Sequence, residues 1–225
     1  MGIPAGDGPF PAVVLAHGGG WIVGEPASIQ PLADFLTDNG FLTVNASYQL
    51  ALQAPGFPAA IEDIACAVRY AASHPLGDGT VVVIGHSAGA HIGAVVALTG
   101  ASYSGSCELV GGGIPDGFIG LAGPYDVLRV GAIMTPFFGN PIEDSPDDWE
   151  AGNPTHLAAN NPALRALLIH GAIDQVVPPD FSQNFYQNLV DGGVAAELVI
   201  LESVDHAGVR SPSIVGETIL EWIEP

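Results

Sequence analysis

The sequence contains no lysine, and its four arginines face 24 acidic residues, which gives a formal charge of −20 at pH 7. A surface with so few cations repels nucleic acid and anionic membranes, so we expect neither as a partner. Such acidity is compatible with a salty or extracellular habitat, but it indicates no particular chemistry.

Cysteine is scarce as well. Cys66 and Cys107 are the two present, and neither has a second cysteine or a histidine at a metal-binding spacing, which argues against a zinc site. The two could form a disulfide or remain thiols. Free thiols are favoured, because Cys66 lies in an apolar pattern typical of a buried helix face.

Long apolar segments and a secretion-type N-terminus are also missing. No apolar run reaches the length of a membrane span, and residues 1–14 (MGIPAGDGPFPAVV) lack a basic stretch ahead of an apolar one. These absences predict a soluble chain without signal peptide or anchor, and leave open a removed leader and the choice between a cytoplasmic and a secreted protein. At 225 residues, a single domain over 1–225 is expected.

Short apolar runs alternate with helical patterns along the chain. Six of these runs are typical of buried strands, at residues 12–16, 41–46, 81–84, 117–121, 166–170 and 197–201. The alternation predicts an α/β fold, with a mostly parallel sheet of six or more strands and helices on both faces. Residues 124–162 interrupt it with proline, glycine and acidic residues, and we expect them to form a short cap or pocket wall.

The strongest chemical signal is a G-x-S-x-G motif, which runs from Gly85 to Gly89. It follows the third predicted strand directly and precedes a helical stretch, which is the context of a nucleophile elbow. In such a turn Ser87 adopts a strained conformation that exposes its hydroxyl, and larger side chains at the two glycine positions would clash.

A serine nucleophile needs a base and a carboxylate that orients the base. In this fold type the chain order is Ser, then Asp or Glu, then His. Asp174 follows the fifth predicted strand and His206 follows the sixth, so Ser87, Asp174 and His206 are the predicted catalytic residues. Asp180 is more typical of a helix cap, and Asp205 adjoins the base in sequence. Three other histidines adjoin glycine turns and are expected to hold loops through hydrogen bonds: His17, His86 and His170.

The tetrahedral intermediate of acyl transfer needs N–H donors for its oxyanion. The predicted donors are the N–H of Ala88 and the glycine-rich loop after the first strand, with Gly19 and Gly20 favoured and Gly18 left open. Several bulky side chains would either wall an apolar substrate pocket or belong to the core: Trp21, Tyr125, Phe137, Phe138 and Trp149. Val176, close after the predicted acid, is assigned to the same pocket.

Four further stretches accompany the G-x-S-x-G motif: HGGGW at 17–21, FPAAIED at 57–63, HGAID at 170–174 and Asp205-His206. Together these motifs span residues 17–206. The chain resembles α/β-hydrolase-fold serine esterases, close to the hormone-sensitive-lipase-like and small carbohydrate-esterase-like bacterial carboxylesterases. The resemblance implies hydrolysis of short-chain acyl esters through an acyl-enzyme, with a small-molecule ester as substrate and no cofactor. Such enzymes often have further N-terminal strands and a helical cap, so a shorter sheet and a more open pocket are expected here. Gln49 stands where many relatives have Arg, which puts one internal ion pair in doubt.

Alternative functions share most of these features. Amide cleavage, as in an arylformamidase or a small serine peptidase, would use the same triad, and the sequence does not separate it from ester hydrolysis. A ligand-binding protein that has lost triad members is disfavoured, because all three candidates are present. Dehalogenase and dienelactone-hydrolase chemistries are disfavoured because the elbow carries serine. The number of assembled copies stays open, a homodimer included.

Overall fold

The computed structural model describes residues 1–223 and places six strands in one parallel sheet. The strands are β1 (Phe10–Ala16), β2 (Leu42–Ala46), β3 (Gly77–His86), β4 (Gly117–Leu121), β5 (Arg165–Gly171) and β6 (Ala195–Leu201). Their spatial order is β2-β1-β3-β4-β5-β6, and every pairing is parallel. The predicted α/β class and the six predicted strands are therefore confirmed, with ends that shift by up to four residues.

Five helices of nine to fourteen residues cover the sheet: α1 (Gln30–Asp38), α2 (Ala59–Ala72), α3 (Ala88–Thr99), α8 (Asp180–Asp191) and α9 (Pro212–Ile223). Four shorter helices follow β4: α4 (Val127–Val130), α5 (Thr135–Phe138), α6 (Pro146–Ala151) and α7 (Pro154–Leu157). Short 3₁₀ turns lie at Pro26–Ile29, Gly100–Ser102, Gly131–Met134 and Gly208–Arg210. Within residues 1–223, no helix combines the length and apolar character that a membrane crossing requires.

Strand β1 shows how the core divides into two layers. Ala12, Val14 and Ala16 contact the layer that includes α2, α3 and α8, whereas Val13 and Leu15 point to the layer that includes α1 and α9. Successive side chains of a strand point to opposite faces, so a strand buried on both sides must be apolar throughout. This explains why continuous apolar runs mark the strands in the sequence.

The strand order places the loops after β1 and β3 side by side. From β1 the chain moves outward to β2, and from β2 it crosses back to β3 on the other side of β1. Ligands of open α/β sheets bind at the carboxyl ends of the strands, at such a change of direction. The glycine-rich loop follows β1 and the serine motif follows β3, so both lie at this point.

The preference for free thiols is wrong, because Cys66 of α2 and Cys107 are joined by a disulfide with their Cα atoms 5.7 Å apart. The segment after α3 returns along α2 and brings Cys107 to it. Arg69 of α2 donates to the carbonyl of Gly111 in the same segment over 3.2 Å. An apolar helix pattern shows that a face is covered but not by which segment, so the pattern could not reveal this partner.

The ion pair put in doubt at position 49 is replaced by a backbone contact. The N–H of Gln49 donates to the carboxylate of Asp63 over 2.8 Å, and the Gln49 side chain donates to the carbonyl of Leu50. The loop after β2 is thus held on α2 without an arginine.

Candidate active site

Ser87 lies between β3 and α3 with φ 54° and ψ −119°, a conformation that residues with a side chain rarely adopt. A Cβ at Gly85 would collide with the backbone of Gly89, and a Cβ at Gly89 would collide with the carbonyl of Ala16. The predicted reason for both glycines is therefore confirmed. The turn directs the serine hydroxyl away from the sheet, at the start of a helix.

The structure brings Ser87, His206 and Asp174 into one chain of contacts. Nε2 of His206 lies 2.9 Å from the Ser87 hydroxyl, and its Nδ1 lies 2.6 Å from the Oδ2 atom of Asp174. Because a carboxylate can only accept, Nδ1 of His206 donates to Asp174, and Nε2 is left to accept the serine proton. The three residues follow β3, β6 and β5, whose carboxyl ends lie at the same edge of the sheet.

The carboxylate of Asp174 is held by further N–H groups. Its Oδ1 atom accepts from the backbone N–H groups of Val176 and Val177 over 2.8 and 2.9 Å. Nε2 of the buried His170 lies 2.8 Å from the carbonyl of Val177 and 3.2 Å from Oδ2 of Asp174. Burial lowers the pKa of His170, so this ring is neutral at pH 7 and carries its proton on Nε2, facing both oxygens. The expectation that His170 holds a loop is confirmed, and the loop is the one that carries Asp174.

The other two loop-holding histidines are also where the sequence predicts them. Nδ1 of His17 donates to the carbonyl of Gly18 over 2.8 Å, and its ring stacks on Tyr48. Nε2 of His86 donates to the carbonyl of His206 over 2.9 Å. Burial lowers the pKa of His86 to about 4, so the ring is neutral at pH 7.

The loop after β1 turns sharply, with φ 138° at Gly19, 59° at Gly20 and 63° at Trp21. Gly18 passes so close to the nucleophile that a Cβ on it would lie 3.1 Å from the Cβ of Ser87. Gly18, Gly19 and Gly20 line the same cavity as Ser87. Ala88 is the first residue of α3, where an N–H has no partner within the helix. The predicted oxyanion donors therefore lie around the serine.

Sequence reasoning missed the group that holds this loop. The indole N–H of Trp21 donates to Nδ1 of His91 over 3.1 Å, and Nε2 of His91 donates to the carbonyl of Gly152 over 2.8 Å. His91 lies in α3 and is fully buried, and this burial lowers its pKa to about 4. Its position one turn after Ser87 was the available signal, because a histidine in an apolar helix requires polar partners.

A cavity of about 690 Å³ opens above Ser87. Trp21 and Val176 line it, as predicted. The assignment of Tyr125, Phe137 and Phe138 to the pocket is wrong, and of the two alternatives for Trp149 the structure shows the core. These aromatic side chains are almost fully buried and pack as core, with Tyr125 stacked on Phe185 and Phe138 stacked on Trp149.

The apolar wall of the cavity comes from other residues. It is formed by Val130, Ile133, Val177 and Phe181. The first two belong to the segment 124–162, so this segment contributes a pocket wall as expected. Its aromatic residues belong to the core layer of α2, α3 and α8 and fix the four short helices on that layer.

Residues 3–189 match the family described as BD-FAE. The chain belongs to the BD-FAE family. Among curated relatives, it is 24% identical to the probable isoprenylcysteine alpha-carbonyl methylesterase ICMEL1 of Arabidopsis thaliana over 88% of this chain and 46% of that protein. It is 27% identical to the esterase LipC of Mycobacterium tuberculosis, over 80% of this chain and 48% of that one. This BD-FAE chain thus spans about half the length of these relatives.

Solved structures with the same architecture support the fold of this BD-FAE member. An acetyl ester-xyloside bifunctional hydrolase from Caldicellulosiruptor lactoaceticus superimposes with a TM-score of 0.83 at 20% identity, covering 99% of this chain and 85% of that one. The propionate-bound esterase Est2 from Thermogutta terrifontis gives 0.78 at 19% identity, over 98% and 88% of the two chains. The predicted α/β-hydrolase fold is confirmed.

Proposed function

We propose that this protein is a serine carboxylesterase that hydrolyses short-chain acyl esters through an acyl-enzyme. The observation that carries the proposal is the continuous contact from Ser87 through His206 to Asp174, over 2.9 and 2.6 Å. Membership of the BD-FAE family and relatives named as esterases support it.

In the acylation step, the hydroxyl oxygen of Ser87 attacks the ester carbonyl while Nε2 of His206 takes the proton. Asp174 keeps the imidazole in the required tautomer and stabilises the imidazolium. The backbone N–H groups of Gly19, Gly20 and Ala88 donate to the oxyanion. The tetrahedral intermediate then expels the alcohol, which receives the proton from His206, and leaves an ester on Ser87.

In the deacylation step, water takes the place of the alcohol. His206 removes a proton from it, the hydroxide attacks the acyl carbonyl, and the collapse of the second intermediate returns the proton to Ser87. The carboxylic acid leaves, and the enzyme is regenerated without a cofactor.

Two observations support short acyl groups. The wall formed by Val130, Ile133, Val177 and Phe181 offers apolar surface for a few methylene groups beside the serine. The structurally similar Est2 of Thermogutta terrifontis is described with propionate and with butyrate bound.

The test is hydrolysis of p-nitrophenyl acetate and butyrate by the purified protein. Ser87→Ala removes the nucleophile and should abolish turnover and labelling by a fluorophosphonate probe. Ser106→Ala, in the exposed segment after α3, is the control and should keep both. Full activity of Ser87→Ala contradicts the proposal, and faster cleavage of N-formyl or peptide substrates than of esters replaces it with the amide-cleaving alternative.

A further inference from the structure

One of the four arginines lines the cavity above Ser87. It is Arg210, in the 3₁₀ turn that follows His206 by two residues. Among residues 1–223 no carboxylate lies within ion-pair distance of its guanidinium, although the chain carries 24 acidic residues. A cation in a substrate cavity without an acidic partner, in so acidic a protein, calls for an explanation.

The other three arginines have structural roles. Arg69 is buried and donates to backbone carbonyls, and Arg129 forms an ion pair with Asp180 over 2.7 Å. Arg165 packs over the ring of Trp222 and donates to its carbonyl, at the start of β5. None of these three lines the cavity.

Within residues 1–223, one hydrogen bond to a backbone carbonyl holds the side chain of Arg210 in place. Its Nη1 donates to the carbonyl of Ser28 over 3.1 Å, which ties it to the segment after the glycine-rich loop. A guanidinium has five N–H donors in a planar fork, so most of them stay available. The guanidinium lines the same cavity as Ser87 and His86, and its charge adds to the burial that lowers the pKa of His86.

The segments that carry Arg210 and the apolar wall are anchored in different layers of the core. Ile29 and Val209, the neighbours of Ser28 and Arg210 in sequence, are buried in the layer of α1 and α9. Met134 lies next to the wall residue Ile133 and is buried in the layer of α3 and α8. The cavity above Ser87 therefore offers a substrate both apolar side chains and a cation, which come from different segments.

We infer that Arg210 binds an anionic group, a carboxylate, of the ester substrate, so that the preferred substrates are esters that carry a carboxylate as well as a short apolar part. The inference rests on the proposed esterase function. A guanidinium matches a carboxylate with two parallel N–H···O contacts, and a charge-assisted contact of this kind is stronger where surrounding apolar walls exclude water. The binding group and the nucleophile then fix the ester between them.

The test uses two pairs of esters of matched size that differ in charge. 4-Acetoxybenzoate is compared with 4-acetoxybenzamide, which puts the charge on the alcohol side, and monoethyl adipate is compared with its primary amide, which puts it on the acyl side. The kcat/KM of each ester is measured with the wild type and with Arg210→Gln. The ionic strength is about 0.15 M, because salt screens the repulsion between the acidic surface and the anionic esters. Arg165→Gln is the control, since it removes one positive charge outside the cavity.

The expected result is that kcat/KM for at least one anionic ester falls about 10- to 100-fold in Arg210→Gln, while its neutral partner changes less than threefold. Arg210→Lys should restore part of the loss, and Arg165→Gln should leave the ratio of anionic to neutral ester unchanged. The pair that responds shows on which side of the ester the carboxylate lies. An equal effect on both members of each pair overturns the inference.

A binding measurement separates this inference from the esterase proposal. In Ser87→Ala, calorimetry should show tighter binding of the anionic ester that responds than of its amide, and Ser87→Ala/Arg210→Gln should lose that difference. Hydrolysis of the neutral esters alone decides the esterase proposal. Equal affinities in Ser87→Ala overturn the role of Arg210 whether or not the protein turns over esters.

Discussion

The side chain of His86 holds the backbone of His206: its Nε2 donates to the His206 carbonyl over 2.9 Å. The residue directly before Ser87 thus positions the residue proposed as its base. The other ring nitrogen of His86 is buried and has no hydrogen-bond partner within residues 1–223. The ring therefore contributes one directed contact, and that contact goes to the loop that carries the base.

Replacing His86 tests this positioning role. We expect His86→Ala to lower kcat about fivefold with little change in KM, because one net hydrogen bond contributes about 1 kcal/mol to the placement of His206. His86→Gln retains an N–H donor and should recover part of the loss. Steady-state kinetics on p-nitrophenyl acetate measure both parameters. An unchanged kcat in His86→Ala would show that the loop holds His206 without this contact.

Trp21 and His91 give a second prediction, on the glycine-rich loop. Trp21→Phe keeps an aromatic ring but leaves the buried Nδ1 of His91 without its donor, which should lower the free energy of unfolding by about 1–3 kcal/mol. It should also lower kcat, because the loop of Gly19 and Gly20 loses its attachment to α3. Thermal unfolding and kinetics on p-nitrophenyl acetate are the measurements.

A matched control for this variant is Trp149→Phe. The indole N–H of Trp149 donates to the carbonyl of Asn140 over 3.0 Å, away from the glycine-rich loop. A similar loss of stability with unchanged kcat is expected there. If both variants lower kcat equally, the effect of Trp21 comes from general destabilisation and the contact to His91 has no special part in catalysis.

Buried histidines predict a pH dependence of stability. Burial lowers the pKa of His91 from 6.5 to about 4 in the folded chain. Between these values the unfolded chain binds a proton that the folded chain does not, so stability is full above pH 6.5 and falls as the pH decreases towards 4. For His91 the loss at pH 5 is on the order of 2 kcal/mol. His17, His86 and His170 shift in the same direction.

Denaturant unfolding at pH 7.5, 6 and 5 measures this slope at constant ionic strength. His91→Gln removes one titrating group and should make the slope shallower than in the wild type, although it lowers stability at every pH. Parallel slopes of the wild type and the variant would show that His91 is not responsible.

Much of the fold could be predicted because the strands are buried on both faces. Val81, Val82, Val83 and Ile84 form an apolar run that can be recognised without any knowledge of its neighbours. The triad could be predicted for a related reason, since Ser87, Asp174 and His206 each come directly after such a run and parallel strands end at one edge.

Features that depend on distant partners could not be predicted in the same way. Tyr125 and Phe138 are aromatic residues of a type that suits both a pocket wall and a core. Whether such a side chain faces a cavity or the core depends on the helices around it. Arg210 and Ser28 meet although 182 residues separate them. No local pattern encodes such a contact.

The disulfide between Cys66 and Cys107 gives the last prediction. The bond closes a loop of 41 residues between α2 and the segment before β4. Its loss should lower the free energy of unfolding by about 2–4 kcal/mol, since the unfolded chain gains conformations. The lining of the cavity above Ser87 includes neither cysteine, so kcat should stay unchanged. Cys66→Ala/Cys107→Ala is the variant, and guanidinium chloride unfolding with and without reductant is the measurement.

Reductant should lower the unfolding midpoint of the wild type towards that of Cys66→Ala/Cys107→Ala, whose own midpoint should not respond, because it has no bond to break. This double comparison separates the effect of the bond from that of the substitutions. A thiol-reactive reagent counts the free thiols of the wild type, unfolded without reductant. Two free thiols would mean that the bond does not form. In that event the contacts of Arg69 with the carbonyls of Gly100 and Gly111 would still hold the segment after α3 on α2.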